Sequence, residues 1–549
     1  MNTTMMRVPL LVDQLLWRAG RLFSDVEIVS RLPSRKLHRY RYGDFASRAR
    51  ALAQALIRAG LRKGERVATL SWNHYAHLEA YFGVPIAGGV LHTLNLRLPA
   101  ADIGWIAAHA GDRFLIVDDV LLPLYRQFAN QVPFERVIVV PLTDEPIPEG
   151  MQSYEDFLRD IDDPARPLPE KDENDACGLC YTSGTTGRPK GVVYSHRSTM
   201  LHALAAALPD SVGLSFNDVV LPVVPMFHAN AWGLPYAATM VGAKQVFPGP
   251  FLDAESLLDL YQHERVTVTG GVPTIWMSIL QALEQAPDRW TLPSMRMIVG
   301  GSAVPEAMIR RFERFGHTVI QGWGMTETSP LAAVSRLRPQ HQELDADGQF
   351  RLRAKAGLPV PFVDLRLIAE DGNEVPWDGE AMGEIQLRGP WITGAYHCAD
   401  DASDKFAADG WLRTGDVATV DREGYIQITD RTKDLIKSGG EWISSVQLEN
   451  EIMAHEAVAE AAVIACPHER WGERPLAVVV LKPGRQPEES VLRDFLSARL
   501  DKWMLPEAFA FVEAIPRTST GKFDKRALRQ QLACGQLSSV GQTKGGRPV

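Results

Sequence analysis

Apolar residues recur along the first third of the chain with two alternating periods. Across residues 42–62, Phe45, Ala49, Leu52, Leu56 and Ile57 fall on one side of a 3.6-residue helix. Residues 65–70 read as a short strand, and a helix follows through residues 77–82. Arg136–Val140 and the run 113–118 are again strand-like, with branched residues at successive positions. Such runs belong to strands covered by helices on both faces, so the pattern predicts a parallel α/β architecture. At the N-terminus, residues 5–17 read as an amphipathic helix. Asp13 and Gln14 lie inside the apolar stretch and no small-residue cleavage site follows, which separates it from a signal peptide.

The rhythm changes further on. Residues 357–424 are rich in Gly, Pro and Asp and carry short strands at Asp364–Ile368 and 383–387, a spacing that predicts a β-rich subdomain. A dense charged run, Asp430-Arg-Thr-Lys-Asp434, comes next. Beyond it the pattern gives a helix over 445–455, strands over 461–464 and 475–480, and a helix over 487–500. This is a small α+β unit of about one hundred residues, near the usual domain size. The expected organisation is an N-terminal domain over 1–429, a hinge at 430–434 and a C-terminal lid domain over 435–534. The Gly/Ser/Gln-rich tail, 535–549, has the composition of a disordered segment.

Composition narrows the class. The chain has 549 residues, 45% hydrophobic and 23% charged, which calls for globular structure with more than one core. A formal net charge of −9 leaves no basic footprint for nucleic acid. No apolar run approaches the roughly 18 residues of a membrane span; the nearest, 219–227, is interrupted by Pro222 and Pro225. Five cysteines do not make a disulfide framework in a chain this long. Cys177 and Cys180 have Cys-x-x-Cys spacing without a second pair, so they read as small buried residues, and the reducing cytoplasm is the expected compartment.

The densest chemistry lies in Tyr181-Thr-Ser-Gly-Thr-Thr-Gly-Arg-Pro-Lys-Gly191. Glycines let backbone N–H groups approach an oxyanion, hydroxyls add neutral donors, and Lys190 adds a point charge suited to phosphate. The spacing is not that of a Walker-type loop. Two further Gly-bearing turns follow strands: Gly300-Gly-Ser-Ala-Val-Pro305 after 295–299, and Gln321-Gly-Trp-Gly-Met-Thr-Glu-Thr328 after 317–320. Strand-to-turn junctions are where α/β folds present ligand groups. Trp411-Leu-Arg-Thr-Gly-Asp416 places a carboxylate after a tight turn, suited to ribose hydroxyls. Pro516-Arg-Thr-Ser-Thr-Gly-Lys522 places one lysine on a small-residue loop.

Together, and in this order, these motifs resemble the adenylate-forming acyl-CoA synthetase family over about residues 10–532. The run from Val224 through Phe227-His-Ala-Asn-Ala-Trp232 to Thr239, and Lys437-Ser-Gly-Gly-Glu-Trp-Ile-Ser444, resemble its fatty acyl-CoA branch. The resemblance implies a large N-terminal domain of two α/β sheet layers plus a β-rich subdomain, and a small mobile α+β C-terminal domain. It also implies a two-step reaction. A carboxylate attacks the α-phosphate of ATP, giving acyl-adenylate and pyrophosphate; CoA then displaces AMP.

By that resemblance Thr182, Ser183, Gly184, Thr185, Thr186, Gly187 and Lys190 would hold the β- and γ-phosphates. Thr182 and Glu327 would sit on Mg²⁺, a hard cation that favours oxygen ligands. Ala229, Gly301, Gln321, Gly322 and Trp323 would line the nucleotide pocket, with Trp323 where many relatives carry Tyr. Thr326 would reach the α-phosphate, and Asp416 the ribose, with Arg431 nearby. Lys433 matches the hinge position, Lys437 and Trp442 would contact nucleotide, and Gly439, Gly440 and Glu441 would lie on the CoA side. Lys522 would be the adenylation lysine. Trp232 reads either as a core tryptophan or as a gate to an acyl tunnel, the reading the resemblance favours; His228 would be part of the site wall. His196 and His202 read as structural.

The implied activity is an AMP-forming acid–thiol ligase acting on a small-molecule carboxylic acid, first a medium- or long-chain fatty acid. The alternative substrate is a short sulfur-bearing acid such as 3-methylmercaptopropionate. An amino-acid-activating domain would carry Asp where His228 follows Phe227. A non-catalytic nucleotide-binding scaffold would not need Lys522, Glu327 and Asp416 together. A homodimer is suggested by the resemblance and by the apolar N-terminal helix.

Overall fold

A computed structural model of the chain describes residues 3–159, 167–182, 188–399, 403–439, 441–485, 487–517 and 523–537. They gather into two compact units. The larger comprises Met1–Val304, Met308–Asp364 and Arg388–Leu412; the smaller comprises Pro305–Ala307, Leu365–Leu387 and Arg413–Val549.

The larger unit is built on two sheets. One has seven strands, in the order Gln152–Ser153, Arg136–Val140, Asp112–Asp118, Arg66–Leu70, Val90–Thr93, Ala176–Tyr181, Gly191–Ser195. Its neighbours are parallel except for the last pair. The other has nine strands. Its parallel centre runs Thr318–Gly324, Arg296–Val299, Val268–Gly271, Val219–Pro222, Lys244–Phe247, Glu27–Arg31, and antiparallel strands close both edges.

Alternation of side chains explains the layering. Ile116, Ile138 and Val140 of the first sheet, and Val220, Val268 and Ile298 of the second, enter one shared core. Helices Tyr42–Arg58, Tyr75–Ile86 and Leu234–Val241 contribute to the same core, so a helical layer lies between the sheets. The intervening residues Leu115, Val117 and Val139 face a second core, and Leu221, Met297 and Val299 a third. Strands covered on both faces need apolar residues at successive positions, which is the pattern the sequence shows.

The N-terminal helix is displaced from its expected place. It runs Val12–Leu22, with Val12, Leu15, Leu16 and Ala19 buried at helical spacing, while Met5, Met6 and Val8 are exposed. Pro9 accounts for the shift, because the residue before a proline is pushed out of the helical region.

The smaller unit holds most of a four-stranded sheet, in the order Asp364–Ile368, Gly383–Arg388, Leu412–Val420, Ile426–Arg431. By compactness, then, residues 365–387 and 413–424 group with the smaller unit and not with the larger one. Its second sheet is built around the long hairpin Val458–His468 and Gly472–Leu481, flanked by helices Ser445–Met453, Glu489–Ser497 and Lys525–Ala533. Of the expected tail, Leu537 is buried in a core cluster, and 538–549 lie outside the described residues.

Candidate active site

The Gly/Thr-rich motif after Tyr181 is a hairpin connection. Strands Ala176–Tyr181 and Gly191–Ser195 pair antiparallel, and the loop between them is pinned at its neck. Thr182 N donates to the Lys190 carbonyl at 2.9 Å, and Lys190 N donates to Thr182 Oγ1 at 3.0 Å. Ser183, Gly184, Thr185, Thr186 and Gly187 lie outside the described residues. Both stems are buttressed. The Tyr181 hydroxyl is 2.7 Å from His109 Nδ1, and His397 N donates to the Gly191 carbonyl at 2.8 Å. Cys177 and Cys180, on the first strand, are buried and unpaired to each other, and burial pushes both thiols up, to about 12 and about 11.

The second strand of the hairpin holds the next motif in place. The Tyr194 hydroxyl donates to the Thr326 carbonyl at 2.8 Å. Thr326 and Glu327 occupy a single turn, Thr326–Thr328, just past strand Thr318–Gly324, and both are buried. The Tyr396 hydroxyl donates to Glu327 Oε1 at 2.7 Å, and Thr393 N donates to the Glu327 carbonyl at 2.8 Å. Burial first, and then the Glu327 charge, push the Tyr396 phenol up, so it stays a donor. Lys190 Nζ lies 5.3 Å from the centre of the Tyr396 ring. Tyr396 thus brings the loop lysine and the buried carboxylate to one place. Neither tyrosine belongs to a motif; Tyr194 at least closes the apolar run 191–194 that follows the loop, whereas Tyr396 carries no sequence signal.

Gln321, Gly322 and Trp323 end the same strand. Gln321 is buried and its Oε1 accepts from Val304 N at 3.4 Å; Trp323 is half-buried. Gly301 lies in the exposed turn after Arg296–Val299, with φ 87°. These positions meet at the carboxyl ends of parallel strands, where α/β folds gather ligand groups.

Trp232 sits on an unusual support. Ala229, Asn230, Ala231, Trp232 and Gly233 all have left-handed backbones, with φ of 42°, 54°, 50°, 58° and 71°. L-residues pay about 1–2 kcal/mol each for that conformation, so the turn is held by its surroundings. The Cys180 thiol donates to Asn230 Oδ1 at 3.3 Å, Ala231 N to the His228 carbonyl at 3.1 Å, and Gly233 N to the Asn230 carbonyl at 2.9 Å. The indole lies across two strand-end glycines. A Cβ on Gly300 would be 3.2 Å from Trp232 Cη2, and one on Gly270 would be 3.5 Å from Cε3. A Cβ on Gly233 would meet the His202 ring at 2.6 Å. His202 is buried and accepts from Leu331 N at 3.2 Å, and His196 accepts from Val12 N at 3.3 Å, both structural roles. His228 is half-buried at the start of the turn.

Within the smaller unit, Asp416 and Arg431 are cross-strand partners, with Arg431 Nε 3.2 Å from Asp416 Oδ1, and Asp416 is buried. Lys433 is exposed two residues on. Lys437 and Trp442 face each other in register, with Nζ 5.5 Å from the ring centre, and Lys437 also pairs with Glu370 at 2.6 Å. Gly439 has φ 64°, and its N–H donates to the Trp471 carbonyl at 2.9 Å. Glu441 pairs with Ser438 along the backbone. Gly440 and Lys522 lie outside the described residues. Among the described residues, no helix is long and apolar enough to cross a membrane.

The chain is similar to known proteins over nearly its whole length. Residues 17–397 match the AMP-binding enzyme family, and residues 447–522 match the AMP-binding enzyme C-terminal domain. A long-chain-fatty-acid–CoA ligase of Thermus thermophilus is 51% identical over 531 residues, covering 96% of this chain and 97% of that protein. A 3-methylmercaptopropionyl-CoA ligase of Ruegeria pomeroyi is 44% identical over 534 residues, covering 96% and 98%. The crystal structure of an anthranilate CoA ligase in complex with anthranoyl-AMP superposes with a TM-score of 0.85 at 25% identity, covering 97% of this chain and 100% of that one.

Proposed function

The chain belongs to the AMP-binding enzyme family, and from that premise we propose that it is an ATP-dependent, AMP-forming acyl-CoA ligase whose acid is a medium- or long-chain fatty acid. The observation that carries the reading is the 51% identity, over nearly the whole of both chains, to a long-chain-fatty-acid–CoA ligase. A relative of nearly the same coverage named for 3-methylmercaptopropionate supports a short sulfur-bearing acid as the second reading.

The residues divide the work as follows. The hairpin loop from Thr182 to Lys190 cradles the β- and γ-phosphates. Thr182 and Glu327 offer an all-oxygen donor set, which suits Mg²⁺ arriving with the nucleotide, and the metal supplies neutralisation of phosphate charge. Tyr396 holds the Glu327 carboxylate in one orientation through its hydroxyl. Gln321, Gly322 and Trp323 line the adenine side, and Asp416 accepts from the ribose hydroxyls. No general base is needed in the first step, because the acid is already ionised at neutral pH. What that step lacks is positive charge between two anions, and Lys522 supplies it, bridging the carboxylate and the α-phosphate. The second step needs access for CoA to the same carbonyl, and rotation about the hinge 430–434 at Lys433 provides it. Cytoplasmic location and a homodimer remain part of the proposal.

The test is a panel of acids from acetate to palmitate, with 3-methylthiopropionate and arylpropionates, assayed for AMP release with ATP and CoA. Turnover highest on acids of about eight carbons or more supports the first reading. Turnover highest on 3-methylthiopropionate supports the second, and acid-independent or absent AMP release across the panel overturns both. Lys522→Ala is expected to abolish pyrophosphate release while sparing thioester formation from supplied acyl-adenylate.

A further inference from the structure

Past strand Val219–Pro222 the chain leaves the sheet, yet Val223, Val224, Met226 and Phe227 stay buried. Buried backbone groups need partners, and here side chains supply them. Asn73 lies between strand Arg66–Leu70 and helix Tyr75–Ile86 and makes three of these bonds. Its Nδ2 donates to the Pro222 carbonyl at 3.1 Å and to the Val224 carbonyl at 3.0 Å, and its Oδ1 accepts from Met226 N at 2.7 Å. The Tyr81 hydroxyl, on the helix, donates to the Met226 carbonyl, and Thr93 Oγ1 donates to the Phe227 carbonyl at 3.4 Å. Asn73 and Tyr81 are themselves buried.

The same segment seats Trp232. Val223 N and Val224 N both donate to the Gly270 carbonyl, at 2.9 and 2.8 Å, and a Cβ on Gly270 would be 3.5 Å from the indole. Along the chain, the segment runs through His228 directly into the left-handed turn that carries Trp232. The indole also lies against Gly300, so it sits at the carboxyl ends of two parallel strands, where α/β folds hold ligands. Asn73 is therefore joined to Trp232 twice, along the chain and through Gly270. Both of its amide N–H groups are taken by backbone carbonyls, so it acts through the segment and not on a substrate.

We propose that Asn73 and Tyr81 are positioning residues for the acid substrate: by fixing residues 222–226 they fix the indole of Trp232, and with it which acids fit. The inference rests on the acyl-CoA ligase reading above and on Trp232 lying on the acid side. Without the amide, the segment and Gly270 shift together, and a displacement of about an ångström is enough to cost on the order of 100-fold in rate. None of these bonds involves Gln321, Gly322 or Trp323, so the effect falls on the acid and not on ATP.

The full-length chain is assayed for AMP release on the best acid of the panel above and on a shorter homologue that it also turns over; release by the parent chain is the prior check of the ligase reading. The measured quantity is the ratio of kcat/KM for the two acids, which does not depend on the fraction of enzyme that is folded. Asn73→Ala is expected to raise KM for the better acid about tenfold and to shift the ratio about fivefold, with KM for ATP within about twofold of the parent. Tyr81→Phe removes one bond, keeps the ring stacked on Tyr236 at 5.3 Å, and is expected to shift the ratio the same way by about threefold. It decides the question if Asn73→Ala does not fold. A ratio left unchanged while activity on both acids falls alike, or KM for ATP rising together with KM for the acid, overturns the proposal. Trp232→Ala runs in parallel. If it leaves the ratio unchanged, the acid-side reading of Trp232 falls and the proposal with it; if it shifts the ratio while Asn73→Ala and Tyr81→Phe do not, only the positioning falls.

Discussion

At the scale of single residues, the left-handed turn under Trp232 is the feature that sequence could not announce. Of its residues, Ala229, Ala231 and Trp232 have no intrinsic preference for positive φ, Asn230 tolerates it, and Gly233 fits it without strain. What permits it is distant: Cys180 on the phosphate-loop strand, and Gly270 and Gly300 under the indole. The tightest constraint is Gly233, which combines φ 71° with the His202 ring at 2.6 Å from any added Cβ. Gly233→Ala is therefore expected to cost about 2–3 kcal/mol, from backbone strain plus a forced shift of a packed ring. In a double-mutant cycle, adding His202→Ala should relieve the steric part and leave the backbone part, giving less than the sum of the two single losses. Urea midpoints at constant m provide the measurement. Full additivity would mean that the two residues do not press on each other.

At the scale of elements, the doubly buried strands were legible because burial on both faces writes itself as consecutive apolar residues. Residues 113–118 and 136–140 both lie within or match strands of the seven-stranded sheet. The loop's place was legible too, since Gly, Ser and Thr at that density mark a turn between strands. Its supports were not. Tyr194 and Tyr396 lie on opposite sides of more than two hundred residues, yet one holds the turn at Thr326 and the other holds Glu327. A lone tyrosine carries no signal of its partner. If Tyr396 orients the Glu327 carboxylate toward a cation, Tyr396→Phe should raise the Mg²⁺ concentration needed for half-maximal pyrophosphate release by roughly tenfold, the usual scale for losing the group behind a metal ligand. KM for the acid should stay near the parent value. A variant with unaltered Mg²⁺ dependence would reduce Tyr396 to a packing role.

At the scale of the molecule, the larger unit closes its cores over histidines kept neutral. His77, His196, His202 and His317 are each almost fully buried, and burial lowers each to about 4 from an ordinary value of 6.5. Their partners suit the neutral ring: His77 is 3.0 Å from both Thr69 Oγ1 and the Trp72 carbonyl, and His202 accepts a backbone N–H. Above pH 6.5 the ring is neutral in both folded and unfolded chains, and these groups leave stability unchanged. Between pH 6.5 and about 4 the unfolded chain binds protons that the folded chain refuses, so stability falls as pH falls, by up to about 1.4 kcal/mol per pH unit for each ring. Below about 4 both states are protonated and the dependence levels off. Acid loss should therefore begin near pH 6.5, well before the carboxylate range. Urea midpoints for the larger unit, taken from pH 7.5 down to 5, should drop by an amount equivalent to several kcal/mol. His202→Gln, which keeps an acceptor for Leu331 N but cannot ionise, should make the slope shallower by about one ring's share. A midpoint that is flat over this range, or a slope that His202→Gln leaves untouched, would show that water reaches these rings and that the cores are more open than their burial implies.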